Sequence, residues 1–146
     1  MGLNSAGLVP SGGTNSMAGA VTAGPGSGTT ASATFADLST TPVSLTKVTG
    51  SLALVIISAS FYNDTNAGST YVGLDVSGAT TIAAGSTQSL LGGNPFMAGV
   101  FYTFFGMSIV QLLVLTPGSN VFKMKGRATL GTSTISNAYL TVIPLN

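Results

Sequence analysis

Short apolar runs separated by turn-forming residues dominate the chain from residue 33 onward. These runs are rich in β-branched and aromatic residues, and pairs such as Ser77-Gly78 and Pro117-Gly118 divide them. No run shows a sustained helical stripe with caps, so the pattern predicts strands. The predicted strands cover residues 32–38, 42–48, 51–62, 69–76, 80–84, 87–91, 120–128 and 135–145, with a further pair in 99–115. Strands this short and closely spaced favour a single all-β domain over residues 33–146, an antiparallel β-sandwich or barrel.

The strand predicted over residues 51–62 has two different faces. Its odd-numbered positions are apolar throughout and should face the core: Ala53, Val55, Ile57, Ala59 and Phe61. Its even-numbered positions begin with Leu52, Leu54 and Ile56 and then become serines. The outer face of a two-layer sandwich should meet water. These three apolar residues therefore predict a covered surface, and the cover is the N-terminal segment, another subunit or the chain's own loops.

Residues 98–115 form an uncharged, strongly apolar stretch that is long enough to cross a membrane as a helix. Polar residues interrupt it, among them Thr103 and Gln111, and no basic cluster flanks it. We therefore predict two buried strands joined by a turn near Gly106. Membrane association through this segment is the alternative, and partition of the protein into liposomes would favour it.

The first 32 residues differ from the rest of the chain. They are rich in Gly, Ser and Thr and show neither helical nor strand periodicity. Such a segment cannot bury enough apolar surface to fold alone. It does carry scattered apolar residues that a plain linker does not need: Leu3, Leu8, Val9, Met17 and Val21. Two interpretations stay open, a disordered terminus and an extended arm that becomes ordered only on another subunit.

Composition narrows the possible chemistry. Only 5% of the residues are charged, with four basic and three acidic side chains, no His and no Cys, whereas about 25% is typical of soluble domains. General acid–base catalysis most often uses His, and thiolate metal sites need Cys. Asp64 lies in an Asn-Asp-Thr-Asn loop, where an Asx turn is favoured over a calcium site. We predict a protein that is not an enzyme and holds no cofactor or metal.

Low charge also bears on partners. A net charge of +1 gives little repulsion between copies and favours association. Lys123, Lys125 and Arg127 alternate along a predicted strand and should share its outer face. They either form a solvated or protected edge or contact an acidic patch on a larger assembly. Three cations are too few to anchor nucleic acid at physiological salt, so no nucleic-acid partner is predicted.

The C-terminal sequence LTPGSNVFKMKGRATLGTSTISNAYLTVIPLN, residues 115–146, resembles small jelly-roll proteins of tailed bacteriophages. The resemblance rests on a Pro-Gly turn, a strand of alternating basic and apolar residues, a Gly-Thr loop and a closing Ile-Ser-Asn strand. The segment YVGLDVSGA, residues 71–79, is also similar to a recurring strand and turn of that group. One departure is Ala138, where the group's pattern has a basic residue after the Asn.

This resemblance implies a jelly-roll β-sandwich with an extended N-terminal arm. It further implies a head decoration (cement) protein on the outer capsid surface, of a kind that in some thermophilic phages lashes trimers together with such arms. The expected partners are two further copies in a homotrimer, neighbouring trimers and the major capsid protein, with no membrane and no small-molecule substrate. A phage tail or receptor-binding jelly-roll domain is the alternative. The predicted contact residues are Leu3, Leu8, Val9 and Val21 on the arm, Leu52, Leu54 and Ile56 on the sandwich, and Lys123, Lys125 and Arg127.

Overall fold

A computed structural model describes residues 19–65, 67–86, 89–93 and 104–145 of the chain. The described residues contain no α-helix, and all strand pairs are antiparallel. The nine strands are β1 (Val21–Thr30), β2 (Ala36–Asp37), β3 (Ser44–Thr49), β4 (Leu52–Asn63), β5 (Ser69–Gly78), β6 (Ser89–Gly93), β7 (Phe105–Val114), β8 (Gly118–Ala128) and β9 (Ser133–Leu145).

The strands form two sheets that pack face to face. The first sheet has the order β1-β9-β4-β7. In the second sheet β8 pairs with β5, β5 pairs with β6, and the short β2 and β3 share the other edge of β8. From β6 onward, successive strands alternate between the sheets, as the return connections of a jelly roll require. The chain is therefore an all-β, antiparallel sandwich with jelly-roll topology.

The core lies between the sheets and follows the two-residue period of the strands. On β4 the five odd-numbered residues from Ala53 to Phe61 are almost completely buried, which confirms the predicted core face. On β8 the side chains of Phe122 and Met124 point inward, between the basic residues that point outward. A Cβ added at Gly126 would lie 2.6 Å from Ile135 Cδ1 on the opposite sheet, so a larger residue there would have to displace the Ile135 side chain in the core.

Two buried asparagines hold the opposite ends of the sandwich. Asn120 Nδ2 donates to Thr49 Oγ1 (2.8 Å), while Asn120 Oδ1 accepts from the Thr80 N–H (2.7 Å). At the other end, Asn63 Nδ2 donates to the Leu130 carbonyl (2.9 Å) and Asn63 Oδ1 accepts from the N–H two residues later. Each amide therefore replaces the water that loop backbone groups would otherwise need.

The structure differs from the predicted elements at four places, and one of these is the strand predicted over 32–38, which is reduced to the two residues of β2. Strand structure begins at Val21, within the segment predicted as an arm, because Gly- and Thr-rich β1 pairs with β9. The turn predicted near Gly106 is wrong, because β7 runs through this residue, which pairs with Ser60. The strand predicted over 80–84 is reduced to one bridge between Ile82 and β5.

No helix among the described residues is long and apolar enough to cross a membrane. Residues 94–103, which include the first part of the segment considered as a membrane alternative, lie outside the described ranges.

A matched pair of valines tests the core. Val55 on β4 is 1% exposed, whereas Val48 on β3 is 71% exposed. We expect Val55→Ala to lower the free energy of unfolding by about 2–3 kcal/mol, through lost methyl burial and a residual cavity. Val48→Ala should change it by less than about 0.5 kcal/mol. Urea unfolding of both variants at one fixed protein concentration measures the difference, and equal losses would contradict the assigned core.

Candidate interaction surface

The outer side of the first sheet carries a block of apolar side chains in register. Leu54 on β4 lies between Ile143 on β9 and Leu112 on β7. Directly paired residues point to the same side of a sheet, so each such row is continuous across three strands. Two neighbouring rows extend the block, which we call the apolar face: Leu52, Leu54, Ile56, Val110, Leu112, Val114, Ile143 and Leu145.

The apolar face is open to solvent. On β7, Val110 is 57% exposed, Leu112 is 60% exposed and Val114 is 77% exposed. Leu54 and Ile56 are half-buried, because side chains of the two flanking strands stand on either side of them. Within the described ranges, no loop shields β7. Contiguous exposed apolar surface of this kind marks interaction sites in soluble proteins.

Charge is absent from the whole first sheet. The sequences of β1, β4, β7 and β9 contain no Asp, Glu, Lys, Arg or His. Depletion of charged residues is the compositional mark of the centre of a protein–protein interface. The first sheet therefore has two faces suited to burial, of which the second sheet covers one.

A band of small polar residues continues the same outer side toward the other end of β4. Ser58 and Ser60 on β4 face Ser108 and Gly106 on β7. With Tyr139 they border a shallow depression of about 410 Å³. Because these side chains are short, they leave room above the sheet. The larger side chains of the apolar face extend farther from the sheet.

The structure separates the predicted contact residues into groups. Leu52, Leu54 and Ile56 lie together on the apolar face, as the alternation in residues 51–62 predicted. Val21 pairs with the buried Val142 and so lies on the other side of the first sheet, at its edge. Leu3, Leu8 and Val9 lie outside the described residues.

The predicted contact residues do not include the apolar residues on β7 and β9. Val110, Leu112 and Val114 alternate along β7, which was a visible signal, but the strands of this region were predicted to be buried, so no contact residue was assigned to them. Ile143 and Leu145 alternate with buried residues of β9 in the same way. Their alignment with Leu54 and Leu52 depends on strand register, which the sequence does not give.

The three predicted basic residues share the outer face of the second sheet, opposite the apolar face. Lys123 Nζ lies 3.0 Å from Asp37 Oδ2, and Lys125 Nζ lies 3.3 Å from Asp75 Oδ1. Both ion pairs are partly exposed and stabilise the fold only slightly. They do neutralise the two lysines locally, so this face is not a simple positive stripe.

Asp64 fastens a loop at one end of the sandwich. Its Oδ1 accepts hydrogen bonds from the Thr132 N–H (2.7 Å) and from Thr65 Oγ1 (2.9 Å). The Thr132 backbone hydrogen bond, followed by the Thr65 hydroxyl, holds the pKa of this carboxyl below its ordinary value. In the described part of the chain no group of three or more Asp, Glu, His or Cys side chains gathers into a metal site.

Comparison with known proteins identifies the fold. No protein-family model matches the chain, and no curated protein matches it. Eight solved chains match. One of them, the Eiger TNF from S. frugiperda, is 12% identical over 87% of this chain and 92% of that chain, with a TM-score of 0.55. At this identity the likeness shows the fold alone, a jelly-roll-type β-sandwich.

The Asp64 loop makes stability depend on pH in a defined direction. Because the folded-state pKa lies below the ordinary 3.8, the carboxylate adds stability that is fully present above pH 3.8 and is lost as pH falls through the lower folded value. The amide of Asp64→Asn accepts hydrogen bonds but does not titrate. We expect the wild type to be the more stable protein at pH 7 and its advantage to shrink below pH 3.8, measured by thermal unfolding. An advantage that grows on acidification would contradict this role.

Proposed function

We propose that this protein is a structural module that assembles into a homotrimer through the apolar face of its first sheet. The observation that carries the proposal is the combination of exposed Val110, Leu112 and Val114 with a sheet that has no charged residue. Burying such a face gains free energy from apolar transfer and leaves no charge to desolvate. The expected number of three copies comes from the sequence resemblance to phage decoration proteins.

The biological setting is part of the same proposal. The protein decorates the outer surface of a phage head, where trimers contact the major capsid protein and residues at the N-terminus reach neighbouring trimers. The sequence resemblance over residues 115–146 supports this setting, and the jelly-roll fold is compatible with it. Many weak contacts on a lattice would add to a strong attachment. An antibody against the purified protein should label intact heads, whereas label confined to tails would favour the alternative tail or receptor-binding role.

Two valines with similar exposure on opposite faces test assembly. We expect Val114→Lys to weaken self-association by about a hundredfold, because an ammonium group would have to be desolvated in an apolar interface. Val48→Lys adds the same charge to the outer face of the second sheet, where Val48 pairs with Ser119 and is exposed. Sedimentation velocity across a concentration series measures both. The wild type and Val48→Lys should form trimers of equal stability.

A wild-type protein that stays monomeric at micromolar concentration would contradict the assembly proposal. Equal effects of the two lysine substitutions would show that net charge, not the apolar face, controls association.

Removing residues 1–18 tests the role of the N-terminus in attachment. A deletion to residue 32 would also remove β1, whose pairing with β9 is part of the first sheet, so the shorter deletion is the appropriate one. We expect the shortened chain to fold and trimerise normally, but to bind capsid shells at least about tenfold more weakly, since multivalent contacts are lost. A co-sedimentation assay with undecorated shells measures the affinity. Unchanged affinity would contradict attachment through the N-terminus and would leave the trimer proposal standing.

A further inference from the structure

The outer side of the second sheet contains a pocket of about 410 Å³. Its floor includes the outward side chains of Lys125 and Arg127 on β8 and Asp75 on β5, and Phe35 stands at its side. Small residues and hydroxyl groups complete the wall: Ala33, Thr34, Ala83, Ala84, Gly85 and Ser86. The volume falls within the range of about 300–1,000 Å³ that is typical of small-molecule sites.

Arg127 is held in this pocket by aromatic rings. Its guanidinium carbon lies 4.2 Å from the centroid of the Tyr71 ring and 5.5 Å from that of Phe35. The two rings meet edge to face, with centroids 6.5 Å apart. Phe35 can lie over the sheet because Gly73 lacks a side chain, since a Cβ there would come within 2.8 Å of the ring. Cation–π contact with these rings, closest at Tyr71, holds the guanidinium in place before any ligand arrives.

The arginine lacks the counter-ion that its lysine neighbours have. Lys123 and Lys125 each pair with an aspartate. Arg127 has no carboxylate and no hydrogen-bond acceptor within the described ranges, and its buried Nε is left without a partner. A guanidinium has five N–H donors in a fork that matches a carboxylate. Because Nε is buried, only the terminal nitrogens of this guanidinium can serve a ligand in the pocket, and their N–H groups are suited to an anionic group.

Asp75 indicates what else the ligand carries. Its carboxylate lines the same pocket and is shared only with Lys125, at 3.3 Å. Oxygens that face a pocket in this way accept hydrogen bonds from hydroxyl groups but repel a second negative charge. The donor and acceptor set therefore fits a ligand with one carboxylate and several hydroxyls better than a simple acidic side chain of another protein. Phe35 adds an apolar surface for the C–H groups of a ring.

We propose that this pocket binds an acidic sugar, with Arg127 holding the carboxylate and Asp75 accepting hydroxyl groups of the pyranose. The site is formed by β5, β8 and the segments around Phe35 and Ala84, none of which belongs to the apolar face. Assembly through the first sheet leaves it accessible. The inference is independent of the proposed function and would add recognition of acidic glycans to a structural module.

The test uses the full-length protein and two sugars that differ in one group. D-Galacturonate carries the carboxylate, and D-galactose is the neutral match. We expect galacturonate to bind with a millimolar dissociation constant, to shift backbone NMR signals of β5 and β8, and to bind about tenfold or more tightly than galactose.

Three variants locate the site. Arg127→Gln should weaken galacturonate binding by about tenfold or more, and Arg127→Lys should restore only part of the loss, because a lysine has no planar fork. Lys47→Gln removes the same charge from β3, away from the pocket, and should leave binding unchanged. Unchanged NMR dispersion in each variant checks that the fold is intact.

Four outcomes would overturn the proposal. They are no binding of galacturonate up to high millimolar concentration, equal binding of the two sugars, equal loss in Lys47→Gln and Arg127→Gln, and tighter binding of a short Asp- and Glu-rich peptide to the same residues. The last result would assign the pocket to a protein partner. None of these outcomes bears on trimer formation, which sedimentation of the apolar-face variants tests separately.

Discussion

The first sheet carries apolar side chains on both of its sides, and burial of both sides from water is the constraint on which the rest of the structure depends. The second sheet covers the inner side of β4 with side chains such as Phe122 and Met124. The outer side has no equivalent cover in the described part of the chain, although Leu112 and Val114 point there. Apolar surface that stays in contact with water costs free energy. The proposed trimer would supply a cover for this outer side.

The outer surfaces of the two sheets differ in charge. The first sheet offers a surface without charge, and the second sheet carries all the charged residues of β2, β5 and β8 on its outer face. The two lysine ion pairs keep most of that charge balanced within the face. Arg127 differs because aromatic rings, rather than a carboxylate, hold it. Hydrogen-bonded amides at both ends hold loops and strand ends together without adding charge to either surface.

The period of two along the chain was sufficient to predict β3, β4, β5, β8 and β9, and the faces of β4 and β8. Alternation fixes which residues of one strand point the same way, as it did for Leu54 and for Lys123. It does not fix which strands are neighbours, so the rows that join Leu54 to Leu112 and Ile143 required the structure. β1 was missed because Gly and Thr give no apolar alternation, and its strand exists only through pairing with β9. The pocket was invisible because Phe35, Tyr71 and Arg127 are far apart in sequence and meet only across the sheet.

The charged residues of β2, β5 and β8 share one broad side of the molecule, and this placement has a geometric consequence. Stacked sheets are about 10 Å apart. The molecule is therefore thin in this direction, with the apolar face on one broad side and the charged outer face of the second sheet on the other. In the proposed trimer the apolar faces would meet one another, so the charged outer faces of the second sheets would point away from the contact. Each such trimer would carry three copies of Arg127 and its aromatic neighbours on its outside, and a shell decorated with these trimers would display one repeated chemical motif.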